Sequence, residues 1–177
     1  MRRLAVENDL EEVFAIYMHD EVIPFLGFDA LPADQFRPHF QDLLLDGDFF
    51  VVEVDGRVAG LYRLSRREGR ARHVACLSTF AIAPGLRGGG LARQVLDDAI
   101  LRLGAAGIRR VELTVESDNA RAIAFYTKTG FEREGTLREA YRRATRASAY
   151  SIGRRDRYLI GWRAALIFPE STDRERW

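Results

Sequence analysis

Three consecutive glycines, Gly88, Gly89 and Gly90, stand between an apolar run that ends at Pro84 and a periodic run that begins at Leu91. Glycine lets the backbone come close to a ligand with its N–H groups bare, and a helix starting immediately afterwards adds partial positive charge. Together these suit a phosphate or diphosphate. The alternative is that the glycines serve only a tight turn. Gly85 and Gly90 have the glycine spacing of a P-loop, but Leu91 and Ala92 stand where that loop needs a lysine and a hydroxyl. A dinucleotide-binding turn built on Gly88 and Gly90 would need a third glycine at Arg93, although Glu112 lies near the usual ribose-binding distance.

Several titratable residues stand near the glycine turn or on the strands and helix that follow it. Tyr126 carries a phenol that is neutral at physiological pH. Candidate bases are Glu116 and Glu112, on one side of an alternating strand, and His73, whose intrinsic pKa is suitable. The long apolar strand carries only Cys76, Ser78 and Thr79, so it offers no carboxylate or imidazole. Cys76 acting as a nucleophile would need a neighbouring base and a two-step reaction; a buried apolar role is the simpler reading. His19 and His39 fall in expected helices with no partner at ligand spacing, so no metal is expected.

The elements around these residues read as one α/β domain over residues 1–177, with a core of about 2–162 and a C-terminal extension of 163–177. Leu4 to Val6 is expected as a first strand. Asn8 and Glu11 resemble a capping box before the helical spacing of Leu10, Val13, Phe14 and Tyr17. A loop from Asp20 to Leu31 leads to Pro32 and a helix with a stripe of Phe36, Phe40, Leu43 and Leu44. Phe49–Val54, Asp55-Gly56 and Arg57–Leu64 read as a hairpin. Val74–Ala83, the glycine turn, a helix bearing Leu96, Ile100 and Leu103, and the strand of Val111, Leu113 and Val115 form a βαβ crossover. Asn119 opens a further helix that closes at Gly130. Arginines crowd residues 138–155, which carry no clear pattern, and Tyr158, Ile160 and Trp162 alternate as a last strand.

A net charge of +1 gives no reason to expect nucleic acid or an anionic membrane as the main partner. A lone cysteine excludes an internal disulfide and suits a reducing compartment. With no secretory-type apolar segment after Met1 and no run of membrane-spanning length, a cytoplasmic location is expected. Phe168 and Trp177 are candidates for a homodimer contact or for a loosely packed terminus.

Arg87, Gly90 and Ala92 match an R-x-x-G-x-[GA] signature, and Asn119, Ala122, Tyr126, Gly130 and Phe131 follow in the spacing N-x-x-A-x-x-x-Y-x-x-x-G-F. These two ordered motifs, one strand apart, resemble the GNAT superfamily of N-acetyltransferases. The run from Arg72-His73-Val74-Ala75 through Glu112–Val115 to Phe131–Thr136 is similar to bacterial members that acetylate free amino acids. The resemblance implies a mixed, mostly antiparallel twisted sheet of about six or seven strands, with a splayed parallel pair and about four helices. It implies acetyl-CoA as cosubstrate, held by Phe80, Ala81 and Ile82 at a β-bulge, by Arg87, Gly88, Gly89, Gly90, Leu91 and Ala92, and by Asn119, Ala122 and Tyr126. The acetyl carbonyl would meet the Ile82 N–H, and an amine acceptor would attack directly in a ternary complex, with Tyr126 as acid. Glu21, Phe25 and Phe28 would line the acceptor pocket, and Arg142 or Arg143 could pair with an acceptor carboxylate. Acetylation of a protein amine, or a CoA-binding module without catalysis, are the alternatives.

Overall fold

The computed structural model describes the backbone of residues 1–144 and 152–163 and the side chains of residues 1–140. The first strand, β1, covers Arg2–Leu4, two residues earlier than the hydrophobic pattern suggests. Its end is fixed by the entry to the first helix. The Val6 N–H donates to Asp9 Oδ2 at 2.8 Å, and the Asp9 N–H donates to the Val6 carbonyl at 2.9 Å, so Val6 already belongs to the cap. The capping pair is thus Val6 and Asp9, not Asn8 and Glu11. Arg3 grips the Asp9 carboxylate with two hydrogen bonds of 2.6 and 2.7 Å and reaches Glu53 at 2.9 Å, tying β1 to the helix entry.

Helix α1 (Leu10–Tyr17) buries Val13, Ile16 and Tyr17, and α2 (Ala33–Leu45) buries Phe36, Phe40 and Leu43. Pro32 caps α2 from an extended conformation, where its missing N–H costs nothing. Strands β2 (Phe49–Val54) and β3 (Arg57–Arg66) form the expected hairpin. Asp55 and Gly56 both take positive φ, 51° and 77°, which a two-residue turn matching strand twist requires.

Strand β4 (Val74–Ile82) precedes the glycine turn, α3 (Leu91–Ala105), β5 (Arg110–Glu116) and α4 (Ala120–Lys128). Strands β6 (Glu132–Ala144) and β7 (Ile152–Arg163) pair antiparallel and take in much of the arginine-rich stretch. Charge at successive positions, as in Arg142-Arg143 and Arg154-Arg155, leaves no apolar alternation there for a pattern reading to find. The sheet order is β1-β2-β3-β4-β5-β7-β6, and β4 with β5 is the parallel pair in an otherwise antiparallel sheet.

Both faces of the sheet are covered. Phe49 and Val51 point to the core made with α1 and α2, while Val52 and Tyr62 join Val95, Leu96, Ala99 and Tyr126 in the core made with α3 and α4. The alternation along β2 follows from the two-residue period of a strand. Among the described residues no helix is long and apolar enough to cross a membrane. Phe168 and Trp177 lie outside the described residues.

Candidate active site

Strands β4 and β5 pair through Val74↔Arg110, Ala75↔Val111 and Cys76↔Glu112, and then diverge. Beyond that point Leu77 to Ile82 on one side and Leu113 to Glu116 on the other line a cavity of about 920 Å³. The divergence is assisted by a bulge. Leu61 pairs with Ala81 but Arg63 pairs with Ser78, so Thr79 and Phe80 together oppose Tyr62. Thr79 takes φ +52°, an unusual conformation for a β-branched residue. The extra residue therefore sits at Thr79–Phe80, slightly earlier than the Phe80–Ile82 stretch expected. The register resumes at Ala81 because Gly60 allows close approach: a Cβ there would lie 2.8 Å from the Ala81 carbonyl oxygen.

The direction of the Ile82 peptide groups follows from the ladder. The Ala83 N–H bonds the Ala59 carbonyl at 2.9 Å, which makes Gly60↔Ile82 the pair without mutual hydrogen bonds. The Ile82 N–H and C=O therefore face the β5 side, where the strands have parted. Arg87 Nε donates to that carbonyl at 3.1 Å.

At the cavity's other end the glycine turn feeds α3. Gly88 and Gly90 hold φ of 86° and 85°, and Gly90 is the helix N-cap. Added Cβ atoms at Gly88, Gly89 or Gly90 would meet nothing within 4 Å, so conformation, not crowding, demands glycine at the two positive-φ positions. Gly88, Gly90 and Ala92 line the cavity, whereas Gly89 and Leu91 are not among its lining residues. Burial and the neighbouring Arg121 depress the Arg87 guanidinium below its ordinary pKa, against the opposing pull of Glu21. Two cations this close to exposed turn amides fit a multiply charged anion such as a diphosphate. Arg121, on the first turn of α4, was not legible as a site residue because its helix position alone gives no such signal.

Asn119 caps α4, its Oδ1 accepting the Ala122 N–H at 3.0 Å, and both residues line the cavity. Tyr126 lies two turns into the helix, 7% exposed, ringed by Phe80, Phe125 and Phe131 at 6.5, 5.2 and 5.4 Å between centroids. Desolvation pushes its phenol well above the usual tyrosine range, which keeps it protonated. Glu116 is 1% exposed and also lines the cavity.

Glu112 and His73 occupy other places. Glu112 is bound by Arg67 and, at 3.3 Å, by Arg110, outside the cavity lining, so it locks β5 rather than facing a ligand. His73 is exposed at the start of β4, where its carbonyl accepts the Arg109 and Arg110 N–H groups. On the acceptor side Glu21 and Phe25 line the cavity together with Val22 and Leu26. Glu21 accepts from Arg87 Nη1 at 2.6 Å, a contact between two regions that sequence spacing does not connect. Phe28 is outside the lining, stacked on His39 at 4.3 Å. Cys76 lines the cavity with its thiol pushed up by burial and by Glu112, which does not favour a thiolate nucleophile. The side chains of Arg142 and Arg143 lie outside the described residues.

Diverging parallel strands, a glycine turn with bare amides at one end and a buried phenol beside the gap make a cleft within the sheet whose shape and charge suit a long, phosphate-bearing ligand. Residues 10–131 match the family model "Acetyltransferase (GNAT) family", and the chain belongs to that family. Its relatives include the mycothiol acetyltransferase of Amycolatopsis mediterranei (strain U-32), 37% identical over 116 residues that cover 63% of this chain and 37% of that protein. The chain thus spans little more than a third of that relative's length. Among solved structures, a ribosomal-protein-alanine N-acetyltransferase from Brucella melitensis superposes with a TM-score of 0.70 at 26% identity, covering 92% of this chain and 99% of the other. A Salmonella typhimurium structure containing its cofactor acetyl-CoA shares the fold, with a TM-score of 0.68 at 20% identity over 97% of this chain and 98% of the other.

Proposed function

We propose that this chain transfers the acetyl group of acetyl-CoA to a primary amine of a small molecule, by direct attack while both substrates are bound. The observation that carries the reading is the parting of β4 and β5 beyond Cys76, with the glycine turn at one end of the gap and Tyr126 beside it. The amides of the turn from Arg87 to Ala92 would hold the diphosphate, and the peptide groups of Phe80 to Ile82 would pair with the pantetheine arm. Acetyl-CoA supplies an activated thioester. The Ile82 N–H, directed into the gap, is the donor placed to stabilise charge developing on the acetyl oxygen. Tyr126, held neutral by burial, is the proton donor for the departing sulfur. Glu116 is a buried carboxylate of the cavity wall that could orient or deprotonate the acceptor.

Glu21 beside Phe25 and Val22 offers a carboxylate with an apolar wall, which suits the cationic amine and carbon skeleton of an acceptor such as a free amino acid. The name of the Brucella melitensis structure supports a second reading, in which the acceptor is the terminal amine of a protein. Release of CoA thiol, followed with an excess of acetyl-CoA against amino acids, polyamines, aminoglycosides and short peptides, separates them. Turnover confined to amino acids supports the first reading, and turnover confined to peptides the second. Tight binding of CoA without release in any case would leave a binding module.

A further inference from the structure

The cavity walls supply an acid more readily than an exit for the proton that the acceptor amine must lose. That exit can be traced through the opposite face of the sheet. Thr79 lines the cavity at the bulge and faces Tyr17 beneath it, its hydroxyl partly offsetting the rise that burial gives the Tyr17 phenol. The Tyr17 Oη lies 3.3 Å from His39 Nε2, and Tyr17 itself is only 3% exposed. His39 is half-buried, and it is covered by Phe28, which stands at the surface. Three side chains able to donate and accept hydrogen bonds, from β4, α1 and α2, therefore run from the cavity toward solvent through an apolar layer. The positive φ of Thr79 belongs to this arrangement, because the bulge is what turns the residue out of the strand's alternation.

We infer that Thr79, Tyr17 and His39 form a relay that takes the acceptor amine's proton out of the cavity. The inference rests on the transferase reading and supplies the base that it lacks on β4. As the N–C bond forms, the nitrogen gives a proton to Thr79 Oγ while the threonine hydroxyl proton passes to Tyr17 Oη and the tyrosine proton passes to His39 Nε2. Both hydroxyls end neutral, and the imidazolium returns its proton to water.

The groups around His39 favour this role. Burial lowers its pKa, with Arg63 on β3 adding to the effect and Asp42 on its own helix opposing it. Arg63 is itself held by Asp48 at 2.8 Å and Asp46 at 2.8 Å. From α1 the facing group is Tyr17, whose phenol burial pushes above its usual range, and from the preceding loop it is the uncharged ring of Phe28. The imidazole is therefore the neutral acceptor at neutral pH and is protonated, and unable to accept, once the pH falls through its lowered pKa.

The test begins with the wild-type protein and whichever amine gives thiol release, so that failure of transfer itself is seen first. Tyr17→Phe keeps the ring packing against Phe36 and removes only the hydroxyl; Thr79→Val and His39→Gln break the other links, and Thr79→Ser restores the first. Expected are losses in kcat of about tenfold or more for the three breaking variants, recovery in Thr79→Ser, and little change in KM for acetyl-CoA. The acidic limb of the kcat profile should disappear in Tyr17→Phe and His39→Gln, and the double variant should be no slower than either alone. Unchanged kcat and an unchanged limb in Tyr17→Phe would overturn the relay. Nitrogen-15 NMR of the imidazole, which needs no substrate, gives an independent reading: Nε2 unprotonated and perturbed by Tyr17→Phe agrees with the relay, and a proton resident on Nε2 refutes it.

Discussion

Tyr126 shows how one phenol acquires a defined state from its surroundings. Three aromatic rings exclude water from it, and the resulting cost of a phenolate keeps the proton in place far into the alkaline range. Tyr126→Phe preserves the packing, so the melting temperature should stay near that of the wild type while kcat falls about 100-fold, the low end of what positioned acid catalysis contributes. Steady-state kinetics beside a thermal melt check this, and a variant at full kcat would remove the acid role. Gly90 is sensitive for a different reason. Its surroundings are empty, yet its φ of 85° disfavours any side chain, so Gly90→Ala should cost about 1 kcal/mol of stability. Acetyl-CoA affinity should weaken as the turn amides rotate, and calorimetry reads both consequences in one preparation. Glu112 is the contrasting case: Glu112→Gln weakens the links to Arg67 and Arg110 and should lower stability by about 1–3 kcal/mol with kcat preserved.

At the scale of elements the site depends on how β3 and β4 meet. Gly60 opposes Ile82 after the bulge, and an added methyl would press on the Ala81 carbonyl at 2.8 Å and on Ile82 Cδ1 at 2.6 Å. The carbonyl is backbone and cannot swing away as a side chain end could. Gly60→Ala should therefore cost about 1–3 kcal/mol and turn the Ile82 N–H out of line, lowering kcat more than it raises KM for acetyl-CoA. A denaturant titration with parallel kinetics would show it, and a silent substitution would mean that the register is not strained there. Much of this framework is legible in the residues themselves. Asp55-Gly56 marks the hairpin, the glycine turn marks the start of α3, and Asn119 marks the cap of α4, because each is a local requirement of backbone geometry. The early bulge at Thr79, the capping by Asp9 and the pairing of Glu21 with Arg87 are not, since each is decided by a partner distant in sequence. Glu112 misleads for the same reason. Its alternation resembles that of Glu116, but only the three-dimensional position of Arg67 shows that its carboxylate is already engaged.

Across the whole molecule the parted strands make the sheet two unequal sections. One face of β1 to β4 is backed by α1 and α2, and β5 to β7 pair with them by backbone at one end of β4 and share with them the core under α3 and α4. Backbone groups along the gap, unlike those in the ladders, have no neighbouring strand to satisfy them, so a ligand lying there with peptide-like groups completes hydrogen bonding and couples the two sections. Binding to the folded chain alone then adds about 2.7 kcal/mol at a ligand concentration 100 times Kd. For a chain of 177 residues that corresponds to a rise in Tm of roughly 5–10 °C. Amide exchange should slow on both walls, at Leu77 to Ile82 and at Leu113 to Glu116, since one ligand closes both. Protection confined to the glycine turn, with a rise in Tm of the size expected, would instead mean that the diphosphate is held while the arm stays outside the sheet, and the gap would then need another occupant.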